Sequence, residues 1–224
     1  MRPVTLGPAV DRPQNLSEIV FERIRSAIVE RTLAPGTQIS EAMLGDMLNV
    51  SKTPVRSALQ RLCFIGLVEP TAHRMRVVLP NKEMIRNAYE LRTGLEGTAA
   101  QLAADRATVE QRATITDAAE KSLHHARAGD AAAFNEWDLA FHRMIGQSCG
   151  NSLLNNAVDN AVVLAFTLRS RDVFAPDDSV RCGDRHVALA KSIHEGYAEL
   201  AGKQMIDHIT EVTAFVLDSV EDPD

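Results

Sequence analysis

The stretch "NVSKTPVRSALQRL", Asn49 to Leu62, limits the possible folds more than any other in the chain. Ser51 can cap a helix, and Pro54 falls in its first turn, where a missing N–H costs little because no intrahelical acceptor waits for it. Val55, Ala58, Leu59 and Leu62 recur as one apolar stripe. Lys52, Arg56 and Gln60, spaced by four, share the opposite face. Gly66 stands where a C′ glycine ends a helix. Such a helix buries one side and shows a basic side to solvent, so it needs partners to pack on.

The flanks supply them. Asn15 and Glu18 have capping-box spacing, and Val20, Ile24, Ala27, Ile28 and Arg31 follow at helical intervals. Pro35-Gly36 suits a type II turn, and Ser40 can cap a short helix carrying Leu44, Met47 and Leu48. After Gly66, "LVEP" and "RVVLP" read as two strands around the turn "TAHRM". Residues 15–80 thus predict a winged helix-turn-helix, a DNA-binding architecture. Residues 1–14 hold Pro3, Pro8 and Pro13 without periodicity and read as a flexible arm.

From Pro80-Asn81 onward no strand pattern occurs. Asn81 can cap a helix, and helical runs fall near 82–104, 108–128, 131–148, 151–173, 179–201 and 203–221. Breaks are expected at Gly129-Asp130, Gly150-Asn151, Ala175-Pro176-Asp177 and Gly202. Residues 81–224 therefore predict an antiparallel six-helix bundle, and the whole chain is mainly α.

Charge divides along the same line. Residues 1–80 carry +3 and residues 81–224 carry -9, within a total of -6. Five basic residues between Val50 and Pro80 face a single acid, Glu69. A polyanion partner for the N-terminal part alone accounts for this asymmetry; a solvated basic face is the alternative. Three cysteines without paired or metal-type spacing argue against a disulfide framework and for the cytoplasm. No apolar run reaches membrane length, so no membrane partner is expected.

A second constellation lies in "WDLAFHRMIG". Asp138 and His142 are four apart, on the face marked by Phe134, Phe141 and Ile145. His186 shares a stripe with Leu189, Ala190, Ile193 and Tyr197, and His208 one with Met205, Val212 and Phe215. Burying ionisable groups is costly unless they are paired or bind a metal. One inward histidine is ordinary core; three with an aspartate favour a metal.

"ISEAMLGDMLNVSKTPVRSALQRLCFIGLVEP" resembles the DNA-binding signature of the GntR family of bacterial transcription regulators. The helical remainder resembles the FCD-type ligand-sensing domain of that family's FadR-like branch. The resemblance implies a homodimer on palindromic double-stranded operator DNA, with Lys52, Thr53 and Arg56 facing DNA and Arg56 reading a base. Arg74 and Arg76, in the wing, are expected to meet phosphate. Lys52 stands where the motif more often has arginine, which suits a phosphate role. The turn "TAHRMR" departs from the family in lacking its usual glycine.

The same resemblance implies a divalent metal held by Asp138, His142, His186 and His208. Imidazole and carboxylate suit zinc first, with nickel or manganese as alternatives, over calcium or magnesium. It further implies a small organic acid effector at the metal, which Arg92 can meet unless Glu96, four residues on, takes it as an ion pair. Two other readings stay open: a metal-dependent hydrolase using the Asp/His site, and a regulator with a metal-free polar pocket.

Overall fold

The computed structural model describes residues 16–72, 74–169 and 176–219. The arm over 1–14 and the Asn15 cap lie outside them. The chain divides into two compact units between Val77 and Val78. The division precedes Pro80-Asn81 because Val78 is buried in the core of the helical unit.

The first unit contains α1 (Leu16–Val29), β1 (Gln38–Ile39), α2 (Glu41–Leu48), α3 (Lys52–Phe64), β2 (Val68–Pro70) and β3 (Met75–Val77). The α3 stripe of Val55, Ala58, Leu59 and Leu62 is buried, as its spacing requires. Its N-terminus differs from expectation, since the Ser51 side chain makes no capping hydrogen bond. Ser40 does cap α2, accepting from the Met43 N–H at 3.2 Å. Gly36 (φ 82°) takes the left-handed position of the expected type II turn. Arg31 (φ 61°) lies past the end of α1 and so does not extend its face. The strands form an antiparallel sheet in the order β1-β3-β2. β1 is too short to show alternation and was not legible in the sequence.

The second unit contains α4 (Lys82–Arg106), α5 (Val109–Arg127), α6 (Ala131–Ser148), α7 (Ser152–Leu168), α8 (Pro176–Glu195) and α9 (Ala198–Asp218). Asn81 caps α4 as expected, accepting from the Met84 N–H at 2.8 Å. One break moves. α8 stops before Gly196 (φ 80°), while Gly202 lies inside α9. A Cβ on Gly202 would sit 3.1 Å from the Gly97 carbonyl oxygen, so this glycine permits α9 to approach α4 closely. Tyr197, expected on the inward stripe of His186, lies beyond the end of α8 and is 56% exposed.

α8 approaches α5 just as closely. A Cβ on Gly183 would lie 2.7 Å from the Leu123 Cα, a backbone atom with no rotamer to escape into. Gly183→Ala should therefore destabilise the protein by about 1–3 kcal/mol, the usual cost of overpacking. Urea denaturation checks this, and an unchanged midpoint would contradict the close approach.

Candidate functional site

On the winged helix, Lys52, Thr53, Arg56 and Arg74 are exposed. Arg56 is held by Glu41 at the start of α2 through two bonds, Nε–Oε1 and Nη2–Oε2, both 2.8 Å. The pair fixes the guanidinium's direction, and Glu41 is acidified mainly by its hydrogen bond to Arg56. Arg76 pairs with Glu69 at 2.6 Å, the residue opposite it in the β2–β3 register. Lys52 and Arg74 have no ion pair among the described residues. Arg61 serves the fold: it forks onto Glu18 of α1 at 2.5 and 3.1 Å, with its guanidinium carbon 3.8 Å from the Phe21 ring centroid.

In the helical unit, Asp138, His142, His186 and His208 come together and are each at most 2% exposed. Asp138 and His142 come from α6, His186 from α8 and His208 from α9. The Nε2 atoms of His186 and His208 face each other at 3.2 Å, a spacing that needs a proton or cation between them. Asp138 Oδ1 lies 3.4 Å from His142 Nε2 and 3.6 Å from His186 Nε2. The ring of Phe141, stacked at 4.3 Å, holds His186 in orientation.

A surrounding shell orients the rings. Glu96 Oε2 lies 2.5 Å from His142 Nδ1, and Ser122 Oγ lies 3.0 Å from His186 Nδ1. The Glu96 carboxylate can only accept, which puts a proton on His142 Nδ1, while the Ser122 hydroxyl anchors His186 Nδ1 in either tautomer; both partners hold Nε2 toward the cluster's centre. Glu96 also binds Arg92 Nε through Oε1 at 2.6 Å, and Asp138 Oδ2 accepts from Arg169 at 2.7 Å. The Arg92–Glu96 ion pair is therefore formed, yet Arg92 also lines the cavity beside Asp138, His142, Arg169, Cys182 and His208.

Burial and charge act in opposite directions here. Burial opposes ionisation of Glu96, but Arg92 and then His142 outweigh it and bring its pKa down to about 2. Arg169 likewise outweighs burial and holds Asp138 well below the usual carboxylate range. Burial pushes His186 down to about 3 and His208 well below the ordinary imidazole value. Both are thus neutral, as metal ligands must be. His142 is raised, because Glu96 outweighs its burial. Burial, aided by Asp138, drives the Cys182 thiol well above its ordinary value.

The donor set fits a divalent transition metal. With metal–nitrogen and metal–oxygen bonds of about 2.0–2.2 Å, tetrahedral donors lie roughly 3.3–3.6 Å apart. The His186–His208, His142–Asp138 and His186–Asp138 spacings of 3.2, 3.4 and 3.6 Å lie near that edge length, and the donors fall into two sets that share His186: His142, His186 and His208, and Asp138, Cys182 and His186. Glu96, Ser122, Arg169 and Cys182 were not singled out as site residues from the sequence. Glu96 entered only as a partner of Arg92, and Cys182 carried a readable signal, four residues before His186. Arg169 and Ser122 carried none, because they reach the cluster from other helices.

A winged helix joined in one chain to a helical unit with a buried ionisable centre defines a DNA-binding, ligand-sensing regulator. Residues 16–74 match the family model for bacterial regulatory proteins of the gntR family, and residues 87–211 match the FCD domain. The chain belongs to the GntR family of bacterial transcriptional regulators, in the branch that carries an FCD domain. It is similar to the probable D-xylose utilization operon transcriptional repressor of Paenarthrobacter nicotinovorans, 28% identical over 81% of this chain and 80% of the relative. It is also similar to the repressor RspR of Escherichia coli, 25% identical over 95% and 94%. Among solved structures, E. coli McbR/YncC shares the fold with a TM-score of 0.75 at 19% identity, covering 91% of this chain and 97% of that one. A putative GntR regulator from Rhodococcus sp. RHA1 gives 0.70 at 22% identity, covering 92% and 99%. The protein is a regulator and not an enzyme, so the hydrolase alternative falls. No helix among the described residues is long and apolar enough to cross a membrane.

Proposed function

We propose that this protein is a cytoplasmic homodimer that binds a palindromic operator and is modulated by a small carboxylate-bearing effector at a divalent metal centre. The observation that carries the reading is the burial together of one carboxylate and three imidazoles, in two close sets that share His186, bordered by two arginines. Asp138, His142, His186 and His208 would hold the metal, zinc before nickel or manganese. A six-coordinate metal held by these four residues would leave two positions for an anion. Arg92 and Arg169, paired with Glu96 and Asp138, border the same closely packed centre, and Glu96 and Ser122 anchor His142 and His186 through Nδ1. Elemental analysis of protein purified without chelator or histidine tag tests the centre; absence of metal would leave only the metal-free polar pocket. A thermal-shift screen of organic acids with and without chelator tests the effector, since a ligand of the folded state raises its stability.

On the DNA side, Arg56 is proposed to read a base, with Lys52, Arg74 and Arg76 meeting phosphate and Thr53 facing the DNA beside them. An arginine fork matches guanine O6 and N7 in the major groove. Arg56→Ala should weaken operator binding by about 1–3 kcal/mol and relax preference at one base pair. Lys52→Ala should weaken all sequences alike and flatten the salt dependence. Fluorescence anisotropy at fixed salt measures both; unchanged operator affinity in Arg56→Ala would sink the assignment.

A further inference from the structure

We propose that Cys182 is an additional donor of this centre, so that the metal is held through thiolate sulfur as well as nitrogen and oxygen. The inference rests on the metal reading above and adds a residue to it. Cys182 is 5% exposed and lies one helical turn before His186 on α8, so the two side chains share a face. Its Sγ is 3.7 Å from His186 Nε2. Ligand atoms of Cys182, His186 and Asp138 all lie within 4.8 Å of one another. Metal–sulfur and metal–nitrogen bonds of about 2.3 and 2.0–2.1 Å at a tetrahedral angle place sulfur and nitrogen roughly 3.6 Å apart. The observed spacing meets that requirement.

The donors within reach of Cys182 are thus His186 and Asp138, and His186 is shared with the set formed by His142 and His208. The other buried cysteine, Cys149, is differently placed: its thiol donates to the Asn151 carbonyl oxygen at 3.4 Å.

On binding, the Cys182 Sγ–H bond breaks, its electron pair forms the sulfur–metal bond, and the proton leaves to buffer. The consequence is selectivity. A thiolate favours zinc or cobalt(II) over manganese or magnesium, which prefer oxygen donors.

The full-length protein, stripped with chelator and reloaded with cobalt(II), provides the test. Visible ligand-field bands report cobalt held at the centre, and a near-ultraviolet sulfur-to-cobalt charge-transfer band reports thiolate ligation. Both are expected in the wild type and in Cys149→Ser; Cys182→Ser should lose only the charge-transfer band. Ligand-field bands without charge transfer in the wild type would overturn the role of Cys182 while leaving the histidine–aspartate centre standing. Failure to bind cobalt at all would overturn both. Should Cys182→Ser not fold, X-ray absorption of the zinc-loaded wild type decides: a sulfur scatterer at about 2.3 Å supports the assignment and its absence refutes it.

Discussion

Glu96→Ala should lower the free energy of unfolding by about 3–5 kcal/mol at neutral pH, because it strands a buried cation. Glu96 is fully buried and is the ion-pair partner of Arg92 at 2.6 Å and of His142 at 2.5 Å. Removing it leaves the guanidinium without its carboxylate and His142 without the acceptor that orients it. Glu96→Gln should cost less, since the amide preserves shape and one acceptor. For comparison, Glu41→Ala breaks a solvent-exposed pair, so its effect on stability should be much the smaller of the two. The pH dependence has a definite sign. The folded state depresses Glu96 from 4.5 to about 2, so its stabilising contribution is full above 4.5 and is lost as pH falls toward 2. The deficit of Glu96→Ala should therefore shrink in acid. Urea denaturation across this range measures it, and a deficit independent of pH would mean that Glu96 acts through packing alone.

His142→Ala should separate the two functions of the protein. It removes one proposed ligand from the centre, so metal occupancy and the thermal midpoint should fall together. Operator affinity should be retained, because Lys52, Arg56 and the wing belong to the other compact unit. The response to an organic acid identified by thermal shift should be lost. An effector shifts an equilibrium only through its differential affinity for the two states, and coupling of about 1–3 kcal/mol changes operator affinity roughly 5–150-fold. By linkage, operator DNA must change effector affinity by the same factor. Anisotropy titrations with and without the acid measure this. A variant that binds DNA and still responds like the wild type would place the sensing site elsewhere.

The helices of both units were legible because their stripes are local. The α3 face, the Asn81 cap and the inward positions of Asp138, His142, His186 and His208 follow from periods of three and four residues. Where local rules failed, a contact distant in sequence prevailed. Gly202 reads as a break, yet it lies within α9 because the helix there meets Gly97 of α4. β1 is two residues long and exists only because β3 offers it a ladder. Ser51 has the side chain of a cap without making the bond.

The amino-acid order alone therefore determined the two-part plan, the winged helix, the helical remainder, the exposed basic face of α3 and four of the ionisable side chains turned inward. Each is set by spacing along one element. Only the tertiary structure decided what those side chains meet. It brought Glu96 and Arg92 from α4, Ser122 from α5, Arg169 from the end of α7 and Cys182 from α8 onto one aspartate and three histidines. It also set Glu41 against Arg56 across the gap between α2 and α3. Neighbours from different helices have no fixed separation in sequence, so their partnership is a property of packing, and packing gives the centre its charge balance.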